Sequence, residues 1–181
     1  MSVDSLRTLA RHLGVPERTL RRAAAEGLIR GQRISERRFK TTLREEAYLR
    51  GHWALLSQLR ASLRTEPNVR SAVLFGSAAI GQESERSDVD LLVWLRDPSA
   101  AAVAGLAARL NDRIAREVQL VRVQDAERSP ALVLDVLEHG RVIVDRDGLW
   151  PTLTGSERSW RRRADADNIA LEDSMPNLEL S

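Results

Sequence analysis

Two short motifs at the ends of apolar segments constrain this chain more than any other feature. One apolar run ends at Phe75 and leads directly into Gly76-Ser77, and a second segment begins as Ser87-Asp88-Val89-Asp90. A strand followed by a Gly-Ser turn is typical of loops whose backbone N–H groups hold phosphates. Because residues two apart in a strand point to the same face, Asp88 and Asp90 are predicted to present both carboxylates on one side.

Paired carboxylates beside a phosphate loop predict a divalent-cation site. Hard cations such as Mg²⁺ (or Mn²⁺) prefer oxygen ligands. In phosphoryl and nucleotidyl transfer, such cations stabilise both the attacking and the leaving oxygen. Neither motif is specific by itself, since Gly-Ser and Asp-x-Asp are common in solvated loops. Their combination on two predicted strands predicts the chemistry of phosphoryl or nucleotidyl transfer.

The residues Gly76-Ser77, Gly81 and Ser87-Asp88-Val89-Asp90-Leu91 resemble the motif of the DNA polymerase β-like nucleotidyltransferase superfamily. They are most similar to its minimal nucleotidyltransferase branch, whose members often occur with a helical partner in bacterial toxin–antitoxin pairs. The resemblance covers about residues 69–148. It implies that Gly76, Ser77 and Ser87 bind the phosphates of an NTP, which is a substrate or a ligand. It also implies that Asp88 and Asp90 bind the metal and that a helical toxin is a partner.

The resemblance implies a third carboxylate on the next strand, and there this chain departs from the pattern. The corresponding segment is Glu117-Val118-Gln119-Leu120-Val121, with Gln119 where the acid is expected. An amide oxygen can ligate a metal but cannot serve as a general base near neutral pH. Glu117 has the same strand parity as Gln119, about 7 Å away, and is the candidate substitute. Asp125 lies about 20 Å along an extended chain, too far to contribute.

Composition limits the class of protein. The chain has 181 residues, which is enough for one good core or two small domains, and 43% of them are hydrophobic, as in ordinary globular proteins. It has no cysteine, no secretory leader pattern and no apolar run long enough for a membrane span. These features predict a cytoplasmic protein without disulfides. The three histidines are far apart in sequence and lack zinc-site spacing.

Positive charge is concentrated at the N-terminus. Residues 1–40 carry ten basic and four acidic side chains, a net charge of +6, whereas the remaining residues carry a net charge of −4. A basic segment next to an acidic remainder is typical of a chain that meets a polyanion.

That basic segment has the layout of a helix-turn-helix. Leu6, Leu9 and Leu13 lie on one face of a first helix, Gly14-Val15-Pro16 breaks it, and a second helix is predicted to reach about Glu26. The run from Leu13 to Ile29 resembles the helix-turn-helix of MerR-like regulators, with residues 28–34 as a wing. By that resemblance the protein binds double-stranded DNA through side chains of the second helix and the wing: Arg18, Thr19, Arg21, Arg22, Arg30 and Arg33. The alternative is a basic helical hairpin that only docks onto the rest of the chain.

A long helix is predicted between the two modules, from about Ser35 to Arg64. Its apolar face could form a homodimer through residues 37–64 or pack on the protein's own C-terminal part. Downstream, helices at about 99–116, 130–138 and 156–170 alternate with strands at about 118–123 and 142–144, and the final residues are predicted to be poorly ordered. The expected fold is therefore α/β (α+β), a small mixed β-sheet domain preceded by an all-α winged helix-turn-helix and a linking helix. The predicted boundaries are 1–36, 37–66, 67–150 and 151–181.

Two functional classes follow from these motifs, and they are not exclusive. In the first, the protein is a nucleotidyltransferase that passes a nucleoside monophosphate from an NTP to a hydroxyl of a protein, an RNA or a small molecule. In the second, it is a DNA-binding regulator or antitoxin whose nucleotidyltransferase-like domain, with Gln119 at the third position, binds a nucleotide without turnover or only serves as a scaffold.

Overall fold

The computed structural model describes residues 5–35, 38–84 and 87–174. Strands within these residues lie at Gln32–Arg33 (β1), Phe39–Lys40 (β2), Val69–Phe75 (β3), Val89–Leu95 (β4), Val118–Arg122 (β5) and Arg141–Asp145 (β6). Helices within the same residues lie at Ser5–Leu13 (α1), Glu17–Ala25 (α2), Leu43–Arg64 (α3), Gly76–Ile80 (α4), Ala100–Ile114 (α5), Val123–Ala126 (α6), Pro130–His139 (α7), Leu149–Gly155 (α8) and Glu157–Ser174 (α9).

The four longer strands form one sheet, in the order β5-β4-β3-β6. Strand β3 is antiparallel to both β4 and β6, whereas β4 and β5 are parallel. The parallel pair needs a crossover connection, and α5 supplies it. The sheet is therefore small and mixed, and this confirms the predicted fold class.

Helices cover both faces of this sheet. Along β3, Ala72 and Leu74 belong to a core with α3 and α5, whereas Val73 and Phe75 belong to a second core with α6, α7 and α8. This alternation follows from the period of two in a strand. The sheet domain thus has three layers, with helices packed on each face of the sheet.

The first two helices pack on the same core as the sheet. They are joined by a tight turn in which Gly14 has φ +65°, a conformation that favours glycine. Leu6, Leu9 and Leu20 are fully buried, and they belong to one continuous core with α3 and β3. The N-terminal helices therefore do not form a separate hydrophobic core.

The wing and the start of the long helix differ from the sequence prediction. Leu28 and Ile29, expected in a hairpin, are buried, and the two-stranded ribbon instead pairs β1 with β2. The long helix begins at Leu43, not near residue 35, because the Thr42 hydroxyl accepts a hydrogen bond from the Glu45 backbone N–H at 3.1 Å and caps the helix. Residues 36 and 37 lie outside the described part of the chain.

The apolar face of α3 is used within the chain. Leu49, Leu56, Leu59 and Leu63 are fully buried in the core shared with the sheet and α5. Of the two alternatives for this face, packing on the protein's own C-terminal part is the one observed. These four leucines are therefore unavailable to the homodimer predicted through residues 37–64, which stays a prediction.

The C-terminal helix α9 was expected and is longer than predicted. Its arginines are exposed, with Arg161 paired to Glu157 at 2.7 Å and the Arg163 guanidinium over the Trp160 ring at 4.6 Å. Residues 175–181, expected to be poorly ordered, lie outside the described residues. Among the described helices, none combines the length and apolar character needed to cross a lipid bilayer.

Candidate active site

The Gly-Ser turn lies at the end of the central strand β3. Gly76 has φ +67° and begins the short helix α4. A Cβ atom at this position would lie 2.5 Å from Oδ2 of Asp90, closer than any real contact of this kind. Glycine is therefore required both by the backbone conformation and by the approach of the backbone to the carboxylate. The sequence predicted a turn here, and the structure adds that Ser77 lies in a helical turn.

The two aspartates lie where β4 begins, beside the Gly-Ser turn. Asp90 is opposite Phe75 on β3, and Asp88 comes immediately before the strand. Both side chains are half-buried. Burial, and next the charge of Asp88, raise the pKa of Asp90 above its ordinary value. Two converging carboxylates of this kind fit a divalent cation, since a positive charge would offset their mutual repulsion and oxygen is its preferred ligand.

Gln119 occupies the third position of the site. It pairs in register with Asp90 on the parallel neighbour β5, and its Nε2 donates a hydrogen bond to Oδ2 of Asp88 at 2.5 Å. Gln119 therefore lies beside the two aspartates, where the resemblance predicts the third carboxylate. The amide holds the Asp88 carboxylate in place, but it is no proton acceptor.

The other acidic candidates are not brought to the pair. Glu117 is exposed just before β5, and its backbone carbonyl accepts a hydrogen bond from Val89 N at 2.8 Å. Asp125 lies in α6 and accepts from Arg122 at 2.5 Å. Across residues 5–35, 38–84 and 87–174, no three Asp, Glu or His side chains gather as a metal centre. The structure therefore does not show Glu117 as the third acid of a metal centre, and its substitution for that acid stays a prediction.

Ser87 and a basic residue close the loop before the aspartates. The Ser87 hydroxyl accepts from the Ser84 backbone N–H at 2.9 Å, and the Ser87 carbonyl accepts from Nη2 of Arg116 at 2.7 Å. Ser87 therefore organises this loop, whereas the sequence placed it on the nucleotide. Arg116 was missed by the sequence analysis, although an arginine directly before the Gln119 strand was a usable signal.

A buried arginine supports α4 from behind. Arg141 on β6 is 1% exposed, and its Nε donates to the Ala79 carbonyl at 2.7 Å. Its guanidinium makes two hydrogen bonds to the Glu45 carboxylate, at 2.6 and 2.8 Å, and stacks 3.6 Å from the centre of the Tyr48 ring. The Tyr48 hydroxyl in turn donates to the Ala78 carbonyl at 2.9 Å, and burial raises the pKa of Tyr48 to about 12. Two carbonyls of α4 are thus held by side chains from other elements.

The same pair reaches the N-terminal segment. Arg141 Nη1 donates to the Leu28 carbonyl at 3.3 Å, and Oε1 of Glu45 accepts from the Arg30 backbone N–H at 3.0 Å. No sequence pattern indicated this connection, because it joins residues from three distant parts of the chain.

The predicted DNA-contacting residues fall into two groups. Arg18 and Arg22 are exposed on α2, and Arg33 is exposed on β1. Arg21 Nε donates to Glu17 at 2.7 Å, and Thr19 is half-buried on the same helix. These residues thus share the N-terminal part of the surface.

Arg30 is the exception among these predicted DNA contacts. Its Nη2 is shielded from solvent without a hydrogen-bond partner, and burial, then the charge of Arg141, lower its pKa. Arg30 is therefore less accessible than Arg33, and its predicted phosphate contact stays a prediction. The sequence could not distinguish Arg30 from Arg33, because only the packing on Glu45 separates them.

Comparisons with known proteins agree with this geometry. The family model for polymerase beta nucleotidyltransferases matches residues 57–148, which are 92 of the 181 residues. A chain of a toxin–antitoxin structure with AMP-PNP is similar with a TM-score of 0.55 and 24% identity, over 65% of this chain and 95% of that one. A chain of the MntA–HepT toxin–antitoxin structure has a TM-score of 0.51 and 22% identity, over 67% and 96%.

A further structure, from Shewanella oneidensis, has a TM-score of 0.50 and 19% identity, over 66% of this chain and 94% of that one. At these identities the likeness shows a shared fold. A comparison with curated proteins finds no match. Because the family model spans half of the chain and includes both the Gly-Ser turn and the Asp pair, the chain belongs to the polymerase beta nucleotidyltransferase family.

Proposed function

We propose that this protein transfers a nucleoside monophosphate from an NTP to a hydroxyl acceptor. One observation carries the proposal: Gly76 brings the Gly-Ser backbone against Asp90, on adjacent strands of a domain that belongs to a nucleotidyltransferase family. The similar chain from a structure with AMP-PNP supports a triphosphate as the ligand.

The residues of the site have separable roles. The Gly76 and Ser77 backbone would hold phosphate oxygens, and Asp88 and Asp90 would hold Mg²⁺ or Mn²⁺. The cation, when bound, supplies Lewis-acid stabilisation of the charge on the transferring phosphoryl group. Gln119 fixes the orientation of Asp88 through its hydrogen bond. The acceptor hydroxyl would then lose its proton to solvent or to the phosphate, since Gln119 is not a base and the described residues do not gather Glu117 with the two aspartates into a three-acid group.

Nucleotide binding without turnover is the second candidate, and the amide of Gln119 favours it. Both states predict NTP binding that depends on a divalent cation, and they differ in product formation. Calorimetry with each of the four NTPs and Mg²⁺ tests the first property, and release of pyrophosphate with an added acceptor tests the second.

The control for both measurements is Asp88→Asn, which removes a carboxylate but keeps the hydrogen-bonding shape. We expect cation-dependent binding in the wild-type protein and its loss in the variant. Binding with pyrophosphate release would establish the transferase, and binding alone would establish the degenerate state. Absence of cation-dependent NTP binding in the wild-type protein would contradict both.

A helical toxin is the acceptor or partner that we propose. The support is that two of the similar chains come from toxin–antitoxin structures. Co-expression with a helical protein encoded beside this one, followed by mass measurement of that protein, tests the proposal. An added mass of one nucleoside monophosphate on the partner, absent with Asp88→Asn, is the expected result, and a stable complex without added mass would support a scaffold role.

We further propose double-stranded DNA as a ligand of the N-terminal part. Two short helices joined by a tight turn, with Arg18 and Arg22 exposed on the second, favour this function. Gel shifts on the region upstream of its own gene should show specific binding, and the double variant Arg18→Gln/Arg22→Gln should lower the salt slope by about two. Arg50→Gln, on the exposed side of α3, is the matched control. No preference over random DNA at moderate salt would contradict the proposal.

A further inference from the structure

A cavity of about 590 Å³ lies between α2 and α3, away from the Asp pair. One wall is formed by Arg18, Thr19 and Arg22 from α2, and the other by Trp53, Arg60 and Arg64 from α3, among other residues. Its volume is in the range of small-molecule sites, roughly 300–1,000 Å³. Four guanidinium groups thus surround one concave space.

These arginines share few counter-charges. Arg22 Nε contacts Oε1 of Glu26 at 2.7 Å, Arg64 Nη2 lies 3.5 Å from Oε2, and Arg60 Nη2 also contacts Oε2. A single carboxylate therefore serves three guanidinium groups. The local net charge is strongly positive, and a bound anion would offset the repulsion among the arginines.

Arg60 is the clearest sign that a partner is missing from this arrangement. It is 9% exposed, and its Nε is shielded from solvent without a hydrogen-bond partner in the described residues. Burial, followed by the charges of Arg64 and Arg22, lowers the pKa of Arg60 to about 10. A buried donor without a partner costs free energy, and an anion bound in the cavity beside Arg60 would offset the excess positive charge at this position.

The α3 wall carries an aromatic side chain beside its arginines. Trp53 is half-buried and lines the cavity, as does the buried Leu28. An indole ring next to guanidinium groups suits a ligand that carries a flat ring and an anionic group together.

We propose that the α2–α3 cavity binds a small anion that carries a phosphate group and an aromatic ring, a nucleotide-class ligand. The arginines bind the phosphate and Trp53 packs on the ring. A duplex is the less suitable occupant, because Arg60 is 9% exposed within a concave surface, and a DNA backbone contacts exposed side chains more readily. This ligand site shares Arg18 and Arg22 with the proposed DNA surface, but it is separate from the Asp pair and does not depend on the proposed transfer.

The probe is AMP, titrated by calorimetry into the full chain in EDTA, so that no divalent cation is present for the Asp pair. We expect binding by the wild-type protein and equally by Asp88→Asn. Arg64→Gln and Trp53→Leu should each weaken AMP binding by about tenfold, as expected for loss of one charged hydrogen bond or one ring contact. Arg60→Gln is a less specific test of AMP binding, since removal of a buried side chain can unfold the protein.

Three comparisons make the result decisive. Arg50→Gln on the same helix should leave AMP binding unchanged, and inorganic phosphate and adenosine should each bind more weakly than AMP. No AMP binding at millimolar concentration, or binding that neither Arg64→Gln nor Trp53→Leu weakens, would overturn the proposal. The proposal would also be overturned if these two variants weakened the binding of duplex DNA while the wild-type protein did not bind AMP. The cavity would then be part of a DNA-binding surface.

Discussion

The acidic site and the α2–α3 cavity are opposite in the sign of their charge, but each holds like charges close together. At the first, Asp88 and Asp90 lie close enough to repel each other, and the neutral Gln119 bonds to Asp88. At the second, arginines converge on the single carboxylate of Glu26. In each case the fold holds like charges close together, which costs free energy unless a ligand of opposite charge is bound. We infer that a cation completes the first site and an anion the second.

The two sites differ in how they are built. The acidic site follows from strand register, because β3, β4 and β5 fix which residues lie side by side. The cavity depends on the packing of two helices that are distant in sequence, and its charged side chains reach it from both. The first kind of site is visible in a linear motif, whereas the second appears only in the folded chain.

The most severe test of the acidic site is Asp90→Asn. It removes one of the two carboxylates and should lower nucleotidyl transfer about 1,000-fold, since metal stabilisation of the transferring group contributes several kcal/mol. In EDTA the same variant should have a higher Tm than the wild-type protein, because the repulsion from Asp88 is gone. Product formation and thermal unfolding measure the two effects, with Asp112→Asn on the exposed side of α5 as the control. A lower Tm in EDTA would show that the pair is not under electrostatic strain.

Gly76→Ala should be nearly as damaging to transfer, at about 100-fold. Its Cβ would lie 2.5 Å from the Asp90 carboxylate, and a displacement of about 1 Å at reacting groups can cost this much. Gly51→Ala in α3 is the matched control, because nothing lies within 4 Å of its Cβ position. That control should raise the free energy of unfolding by roughly 0.5–1 kcal/mol, since alanine is the better helix former. Equal activity of both variants would contradict the close approach at Gly76.

Gln119→Asp tests whether the lack of a third carboxylate limits the rate of nucleotidyl transfer. A carboxylate beside Asp90 could accept the proton of the acceptor hydroxyl, so we expect transfer to rise about tenfold. The expected gain is smaller than the rate contribution of a well-placed general base, because the aspartate side chain is one methylene shorter than the glutamine side chain that it replaces. Gln119→Asn, equally short but without charge, should not produce the gain. If both variants behave alike, proton removal is not limiting.

The smallest expected effect concerns the basic cavity. Glu26→Gln removes the carboxylate shared by three arginines and should lower the free energy of unfolding by about 1 kcal/mol. The same change should strengthen AMP binding severalfold, because the anion no longer competes with Glu26. Glu17→Gln, which affects the ion pairs with Arg7 and Arg21 outside the cavity, should change neither AMP affinity nor its salt dependence. Weaker AMP binding by Glu26→Gln would contradict the assignment of anion binding to this cavity.

Much of the fold was predictable because local patterns and final structure agree. The strand before Gly76 and the helices around the sheet follow from apolar periodicity and turn residues, whereas the resemblance to the family implied the place of Gln119 beside the aspartates. The predicted start of α3 was wrong because Phe39 has a helical spacing with later apolar residues but lies in β2, which pairs with β1. The capping hydroxyl of Thr42 decides the boundary, and its effect is stronger than the periodicity.

The supporting residues of the site could not be predicted in the same way. Arg116, Glu45 and Arg141 look like ordinary charged residues in the sequence, and only tertiary packing gives them their partners. Arg30 and Arg33 look equivalent in the sequence, yet one is partly buried and the other exposed. Charge identifies such residues as polar but does not indicate which of them the fold will bury.

The buried pair of Arg141 and Glu45 has a consequence for how the molecule opens. The pair joins α3, which carries Glu45, to α4 and to the segment after α2 through hydrogen bonds. None of these three elements can detach without exposing a charge or leaving it unpaired. Breaking such a pair by removing one partner costs about 3–5 kcal/mol. Amide protons near Leu28 and near Ala79 should therefore exchange with solvent in one cooperative unit. The N-terminal helices and the phosphate loop would unfold together, as a single event.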